Sequence, residues 1–382
     1  MLILTTHIPW RWHQLALGFP CGVLQVSRTA EQREKRARIK AFLQSRGLEA
    51  VVLRKGANVA WIIGGRAHIP TTLELSCMDV IVYLDRIVVV TNKIEAPRLQ
   101  AEELSGDEEL IVVNWFESRD AQLPKGPTIG TDGADSDRVN ILADIENLRR
   151  SLNIHEVDRL KSIGHDASEA LTSALSIIEP GDSEVDVASE IAEQLWQRDL
   201  EPVVLLVAGE NRISKFRHPL PTTETIGKTA MGVICARRKG LIASVTRIVY
   251  FGKIPRAMND TYLQLLEVER AFLDHTRPGV TLGEAFKKGE VAYALHGFEK
   301  DEWTNHHQGG PTGYLPRDFP AHEKSTQLIG PNNAIAWNPS GRGLKVEDTL
   351  ITSDSSFEFI TLSQGWPTVN VGGRTRPALL SR

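Results

Sequence analysis

A change of pattern between residues 150 and 200 limits this chain to a few architectures. Before it, short apolar runs alternate with amphipathic ones. After it, the apolar runs become long and rich in β-branched residues. EQREKRARIKAFLQSRG predicts a helix with Ile39, Phe42 and Leu43 on one face and Gly47 as its stop. LEAVVLR (48–54) predicts a buried strand, and MDVIVYLDRIVVVT (78–91) two strands around Asp85-Arg86. IEAPRLQAEEL predicts a helix, while LIVV (110–113) and TIGTD (128–132) predict further strands. Strands alternating with helices imply an α/β domain ending near residue 152.

Residues 154–178 predict a long amphipathic helix, with Val157, Leu160, Ile163, Ala167, Leu171 and Ala174 as its apolar face. SEVDVASEIAEQLWQRDL predicts a second helix, capped by Asp182 or Ser183. The segments PVVLLVAG, TAMGVICARRKGLIASVTRIVYFG, NAIAWNPS, LKVEDTLIT and FEFITL then predict an extended antiparallel sheet. The expected organisation is an extension over 1–28, an α/β domain over 29–152 and an α+β domain over 153–382. The extension has its charge, Arg11, in the middle of its apolar stretches. A secretory signal would carry the charge first, so a loosely ordered tail or an early start codon is the reading.

Composition excludes several classes. The formal net charge is -4, without the basic excess of a nucleic-acid binder. No apolar run reaches the ~18–20 residues of a membrane span. Cys21, Cys77 and Cys235 are odd in number and far apart, so neither a disulfide framework nor a zinc knuckle is expected. A reducing cytoplasm is the default location.

Four segments of the second half resemble, in order, the pita-bread fold family of methionine and Xaa-Pro aminopeptidases, prolidase and creatinase. They are GENRISKFRHP (209–219), GLIASVTR (240–247), HHQGGPTGY (306–314) and AWNPSGRGLKVEDT (336–349). NVAWIIGG (58–65) resembles the smaller domain that creatinase and the proline-directed peptidases carry. The resemblance spans about residues 30–365 and implies a creatinase-like α/β domain followed by an α+β pita-bread domain.

Peptidases of that family hold two divalent metals with two Asp, one His and two Glu. Carried over by motif, the ligand positions fall on Val233, Ser244, His307, Asn338 and Glu347. Only His307 and Glu347 keep a ligand-type side chain. A hydroxyl and an amide cannot neutralise paired dications as carboxylates do. No metal and no other cofactor is therefore expected. A single metal on His307, Glu347 and a third group is the exception considered.

The resemblance gives His218, in FRHP, the place of the family's proton-shuttle histidine, and Tyr314 the place of a substrate-facing histidine. The expected catalytic residues are His218, His307 and Glu347. The expected substrate-binding residues are Tyr314, Asn338, Ser244, Arg66 and His68. His306 is expected to be structural, and Gly309 and Gly310 to bring backbone close to a ligand. Glu347 would either take up a proton or need a cation: a substrate guanidinium or ammonium, or a site arginine such as Arg247. Arg237, Arg238 and Lys239 are read as a solvated turn. Creatinase lacks the metal site and cleaves a guanidinium C–N bond with a histidine. By that precedent the expected activity is a metal-independent hydrolase or lyase of a small polar molecule, amino-acid-like or a guanidino or amidine compound. The protein would be a homodimer with a small-molecule substrate and no nucleic-acid or membrane partner. The alternatives are an inactive peptidase homologue that binds a peptide or metabolite, and a mononuclear-metal aminopeptidase-type hydrolase. The bland readings also stand: His218 and Arg66 as loop residues, Ser244 and Asn338 as space-fillers.

Overall fold

A computed structural model describes residues 21–382, with side chains from Thr29 onward. Residues 1–20 of the expected extension lie outside the described residues. The first helix runs Cys21–Arg46, so it begins before Thr29 and takes in the last part of that extension. Its face carries Ile39 and Leu43 into the core.

Six strands make the first sheet, in the order Glu109–Val113, Ile87–Asn92, Leu75–Tyr83, Ala50–Lys55, Ile129–Thr131, Val139–Asn140. The middle pairings are antiparallel and the outer ones parallel. The helix expected over 94–104 is instead one short turn, Ala96–Arg98, running into a π-helical turn, Leu99–Glu103. NVAWIIGG lies in the helix Gly56–Ile63, which ends on Gly64 at φ 69°.

The second sheet runs Gly309–Thr312, Ala334–Trp337, Glu347–Thr352, Leu241–Tyr250, Thr229–Arg238, Glu201–Gly209. Phe357–Phe359 and Leu380–Ser381 pair beside this path. The helix Ile154–Leu175 starts with a capping box of Asn153 and Glu156 and buries the expected apolar face. Ser183, not Asp182, caps Glu184–Trp196. Residues 256–295, which the pattern reading leaves unassigned, form the helices Arg256–Leu273 and Leu282–Leu295.

Strand parity then decides where a site can lie. On Thr229–Arg238 and Leu241–Tyr250, residues Ile234, Ala236, Ala243 and Val245 join the core under Ile154–Leu175. Burying Ile234 or Val245 contributes about 1.5–3 kcal/mol each, and each alanine methyl about 0.8 kcal/mol. Successive side chains alternate faces, so Val233, Cys235, Ser244 and Thr246 turn the other way. Register confirms the shared face: Cys235 lies opposite Ser244, and Val233 opposite Thr246. No helix of the described residues is long and apolar enough to cross a membrane.

Candidate functional site

On that second face lies a cavity of about 570 Å³. Val233 and Cys235 form its floor, and Val203 to Leu206 of the edge strand form one wall. His218, His307, Arg317, Asn338, Lys345 and Glu347 supply its polar lining. Four of the five expected ligand positions therefore converge on one volume. The fifth, Ser244, sits just behind, with Oγ 3.3 Å from Cys235 Sγ and 3.4 Å from Arg317 Nη1.

Close strand packing explains the meeting of His307 and Asn338. Gly309 pairs with Trp337, and Asn338 donates its N–H to the Gln308 carbonyl at 3.0 Å. A Cβ on Gly309, at φ 101°, would lie 2.2 Å from the Ala336 carbonyl oxygen. One on Gly310, at φ 146°, would lie 2.7 Å from the Phe319 carbonyl oxygen. These glycines thus bring backbone against neighbouring backbone, not against a ligand as expected.

Glu347 is buried, and both its oxygens are engaged. Arg317 Nη2 donates to Oε1. Lys345 Nζ lies 3.1 Å from Oε2, and the Thr246 hydroxyl donates to Oε2 at 2.8 Å. Burial alone would raise this carboxyl, but the two cations and the Thr246 hydroxyl outweigh it and hold it at about 2. A site arginine does meet Glu347, as one expectation had it, but it is Arg317 with Lys345, not Arg247 or a substrate cation. Arg247 instead pairs with Asp348 at 2.9 Å, which also receives Arg376 at 2.8 Å. Arg247 and Asp348 thus belong to a buried structural network.

Arg317 and Lys345 are the residues that sequence reasoning missed. Lys345 had a local signal: it stands two residues before Glu347 in an extended segment, the spacing that shares a face. Arg317 had none beyond the unmet demand for a cation.

Three histidines gather at the same end. The Nε2 atoms of His218 and His306 lie 3.0 Å apart. The rings of His306 and His307 are 4.4 Å apart. His306 is therefore not a backbone-bonded structural residue but a partner of His218. Burial, with Lys345 and the neighbouring rings, lowers His306 to about 2. Burial, then Arg317 and Lys345, lowers His307 to about 4. His218, the most open of the three, is lowered by burial and Lys345, with Glu347 opposing. Near neutral pH all three are uncharged, so Arg317, Lys345 and Glu347 leave the cavity with one net positive charge. The Nδ1 atoms of His306 and His307 and Oδ1 of Asn338 are buried without a protein partner. Each such group costs about 1–3 kcal/mol until a ligand or water meets it.

The remaining expected residues fall elsewhere. The Tyr314 hydroxyl donates to Glu156 at 2.6 Å and accepts from Lys35 at 3.2 Å. Lys35 also pairs with Glu156 at 2.8 Å. Tyr314 thus closes a buried charged cluster between the N-terminal helix and Ile154–Leu175, and donates nothing to the cavity. His68 lines a separate 270 Å³ cleft with Asn58, Arg237 and the Tyr314 ring. Arg66 is held by Glu102 and Glu103, both at 2.7 Å. Arg237 and Arg238 are not merely solvated: they pair with Glu201 and Asp166, at 2.6 and 2.7 Å.

A pair of divalent ions does not fit these residues. Three of the four carboxylate positions carry no carboxylate, and the remaining one already holds two fixed cations. A dication there would face Arg317 and Lys345 at close range, with little negative charge to offset them. The same engagement removes Glu347 as a ligand for a mononuclear site with His307. Among the described residues, the ring nitrogens that come together as metal donors are those of His218, His306 and His307, all within 4.8 Å of one another.

Comparison with known proteins adds a family and a fold. The model of metallopeptidase family M24 matches residues 158–354. The uncharacterized peptidase YqhT of Bacillus subtilis is 22% identical over 240 residues, covering 60% of this chain and 67% of YqhT. The Xaa-Pro dipeptidase of Pyrococcus horikoshii is 20% identical over 359 residues, 87% of this chain and 97% of that protein. The crystal structure of dipeptidase PepE from Mycobacterium ulcerans superposes with a TM-score of 0.74 at 17% identity, over 92% of this chain and 98% of that one. The two-domain pita-bread architecture is thus that of the prolidase-like peptidases.

Proposed function

The chain belongs to metallopeptidase family M24, and from that premise we propose a metal-independent hydrolase or lyase of a small polar substrate, with fixed cations doing the family metals' electrostatic work. The observation that carries this reading is Glu347 clamped between Arg317 and Lys345 in the cavity.

In peptidases of the family, the paired ions polarise the scissile carbonyl and activate water. Here the guanidinium and ammonium N–H groups are the positive charge available to a substrate oxygen. In a partly enclosed cavity such preorganised donors stabilise charge that develops in the transition state. His307, a neutral imidazole, can donate or accept one hydrogen bond beside them. His218 is neutral at physiological pH and can take a proton from water or substrate, then return it to the leaving group. His306 orients it through the Nε2–Nε2 contact. Asn338 offers an unpaired carbonyl to a substrate N–H.

The substrate class shifts with the charge. Glu347 is already neutralised, so a guanidino or amidine cation has no free carboxylate to meet. The net positive cavity favours a molecule with a carboxylate or a polarised carbonyl. Arg66 and His68 touch substrate in this reading only if the small domain of a homodimer partner reaches the cavity. Light scattering in solution tests that dimer, and a monomer removes both residues from the site.

A second reading has its own support. The internal pairing of Glu347 also suits a silent cleft that binds a peptide or metabolite without turnover. One experiment separates the two. A thermal-shift screen of dipeptides, amino-acid amides and guanidino acids finds a ligand, and product analysis follows. His218→Ala should then lose about 10²–10⁴-fold in turnover with its fold intact. Ligand binding with no product supports the silent cleft. Full turnover by folded His218→Ala refutes the histidine mechanism.

A further inference from the structure

We propose that His218, His306 and His307 form an inhibitory site for one borderline transition-metal ion, distinct from the carboxylate-rich di-metal centre of the family. Two of these three donors, His218 and His306, have no counterpart among the family's metal ligands carried over above.

The geometry is close to what an ion requires. Zn²⁺ holds imidazole nitrogens at about 2.0–2.1 Å, which puts neighbouring donors about 3.3 Å apart around a tetrahedron. The Nε2 atoms of His218 and His306 are already 3.0 Å apart. All three residues offer a ring nitrogen within 4.8 Å of the others. Small ring rotations would close the set, and His218 lies on the open side, where an ion can enter. The buried Nδ1 atoms of His306 and His307 have no protein partner, so no competing hydrogen bond fixes either ring by that nitrogen.

The donor type sets the selectivity. Three neutral imidazoles suit Zn²⁺, Ni²⁺ and Cu²⁺, whereas Mg²⁺ and Mn²⁺ prefer oxygen ligands. Glu347 cannot supply that oxygen, because Arg317 and Lys345 hold it. The same two cations oppose any dication nearby, so binding is reversible and limited to one ion. The consequence for activity rests on the reading above: an ion on the His218 lone pair leaves no base, so loading silences proton transfer.

The test needs no substrate, so its failure and that of the proposed reaction are separable. Chelator-treated full-length protein is titrated calorimetrically with ZnCl₂, MgCl₂ and MnCl₂, and the Co²⁺ visible spectrum reports a nitrogen-rich, four-coordinate ion. The expected result is one Zn²⁺ per chain and no heat from Mg²⁺ or Mn²⁺. His306→Ala and, separately, His306→Gln should weaken Zn²⁺ by about 100-fold or more, above the cost of losing a merely supporting group. Circular dichroism selects the variant that folds. Unchanged Zn²⁺ affinity in a folded His306 variant places the ion on some other histidine and overturns the proposal. So does the absence of Zn²⁺ uptake, or an equal response to Mn²⁺.

Discussion

Lys345→Met removes the cation on one oxygen of Glu347 and leaves Arg317 on the other, with the Thr246 hydroxyl still donating. At 3.1 Å and an effective dielectric of ~20, the attraction lost is about 5 kcal/mol before desolvation is counted. The net figure comes from the carboxyl itself. Its fall from 4.5 to about 2 corresponds to about 3 kcal/mol, the surplus of its partners over the desolvation that opposes them. Lys345 supplies the largest lowering influence on that carboxyl, so its removal should cost about 2 kcal/mol of stability at pH 7. The sign with pH follows from the depressed carboxyl. Its contribution is present above about pH 4.5 and is lost as pH falls through about 2. In the variant the folded carboxyl titrates higher, so less stability is lost below about pH 4.5 and the loss is complete at a higher pH than in the wild type. Urea unfolding of the wild type, Lys345→Met, Glu347→Gln and the double variant measures the coupling directly. In the Glu347→Gln background, Lys345 faces only another cation, and removing it should cost nothing. If Lys345→Met costs the same in both backgrounds within about 0.5 kcal/mol, the clamp is not an energetic unit and the electrostatic account fails.

Three further outcomes follow from the same geometry. After chelator treatment, elemental analysis should find no Mn, Zn, Co or Fe; two retained ions per chain would contradict the fit of Val233, Ser244 and Asn338 to the ligand positions. Restoring carboxylates at those positions, as Val233→Asp, Ser244→Asp and Asn338→Glu, should give little Mn²⁺-dependent rise in Tm while Arg317 and Lys345 remain. A strong rise there would mean that the two cations do not compete with metal. His306, lowered from 6.5 to about 2, stays neutral in the fold while the unfolded chain takes up its proton. Stability from this group is therefore full above about pH 6.5 and is lost as pH falls toward 2. Folded His306→Gln should show a flatter stability profile between pH 6.5 and 4 in urea unfolding, and an unchanged slope would show His306 to be solvated.

Much of the fold was legible because its signals are local. Long apolar runs announced the strands 229–238 and 241–250, and the apolar stripe of 154–175 announced the helix that covers them. The cap of Glu184–Trp196 was narrowed to Asp182 or Ser183, and Ser183 fills it. Even the absence of carboxylates at Val233, Ser244 and Asn338, the positions that the family resemblance gives to ligands, could be read in one dimension. The π-helical turn over 99–103 could not, because its residues fit an α-helix equally well.

Which charge meets Glu347 was a question only the folded chain could answer. A buried carboxylate either takes up a proton or needs a cation, and this chain has 44 lysines and arginines that could have met it. Lys345 arrives through the small hairpin of Ser340–Gly341 and Leu344–Lys345, and Arg317 from a loop 30 residues upstream of its partner. Tyr314 shows the converse. Its sequence position matches a substrate-facing residue, yet its hydroxyl is spent on Glu156, 158 residues away. Motif spacing places a residue on the backbone. Whether its side chain reaches substrate depends on which other charges have already claimed it, and those come from distant parts of the chain.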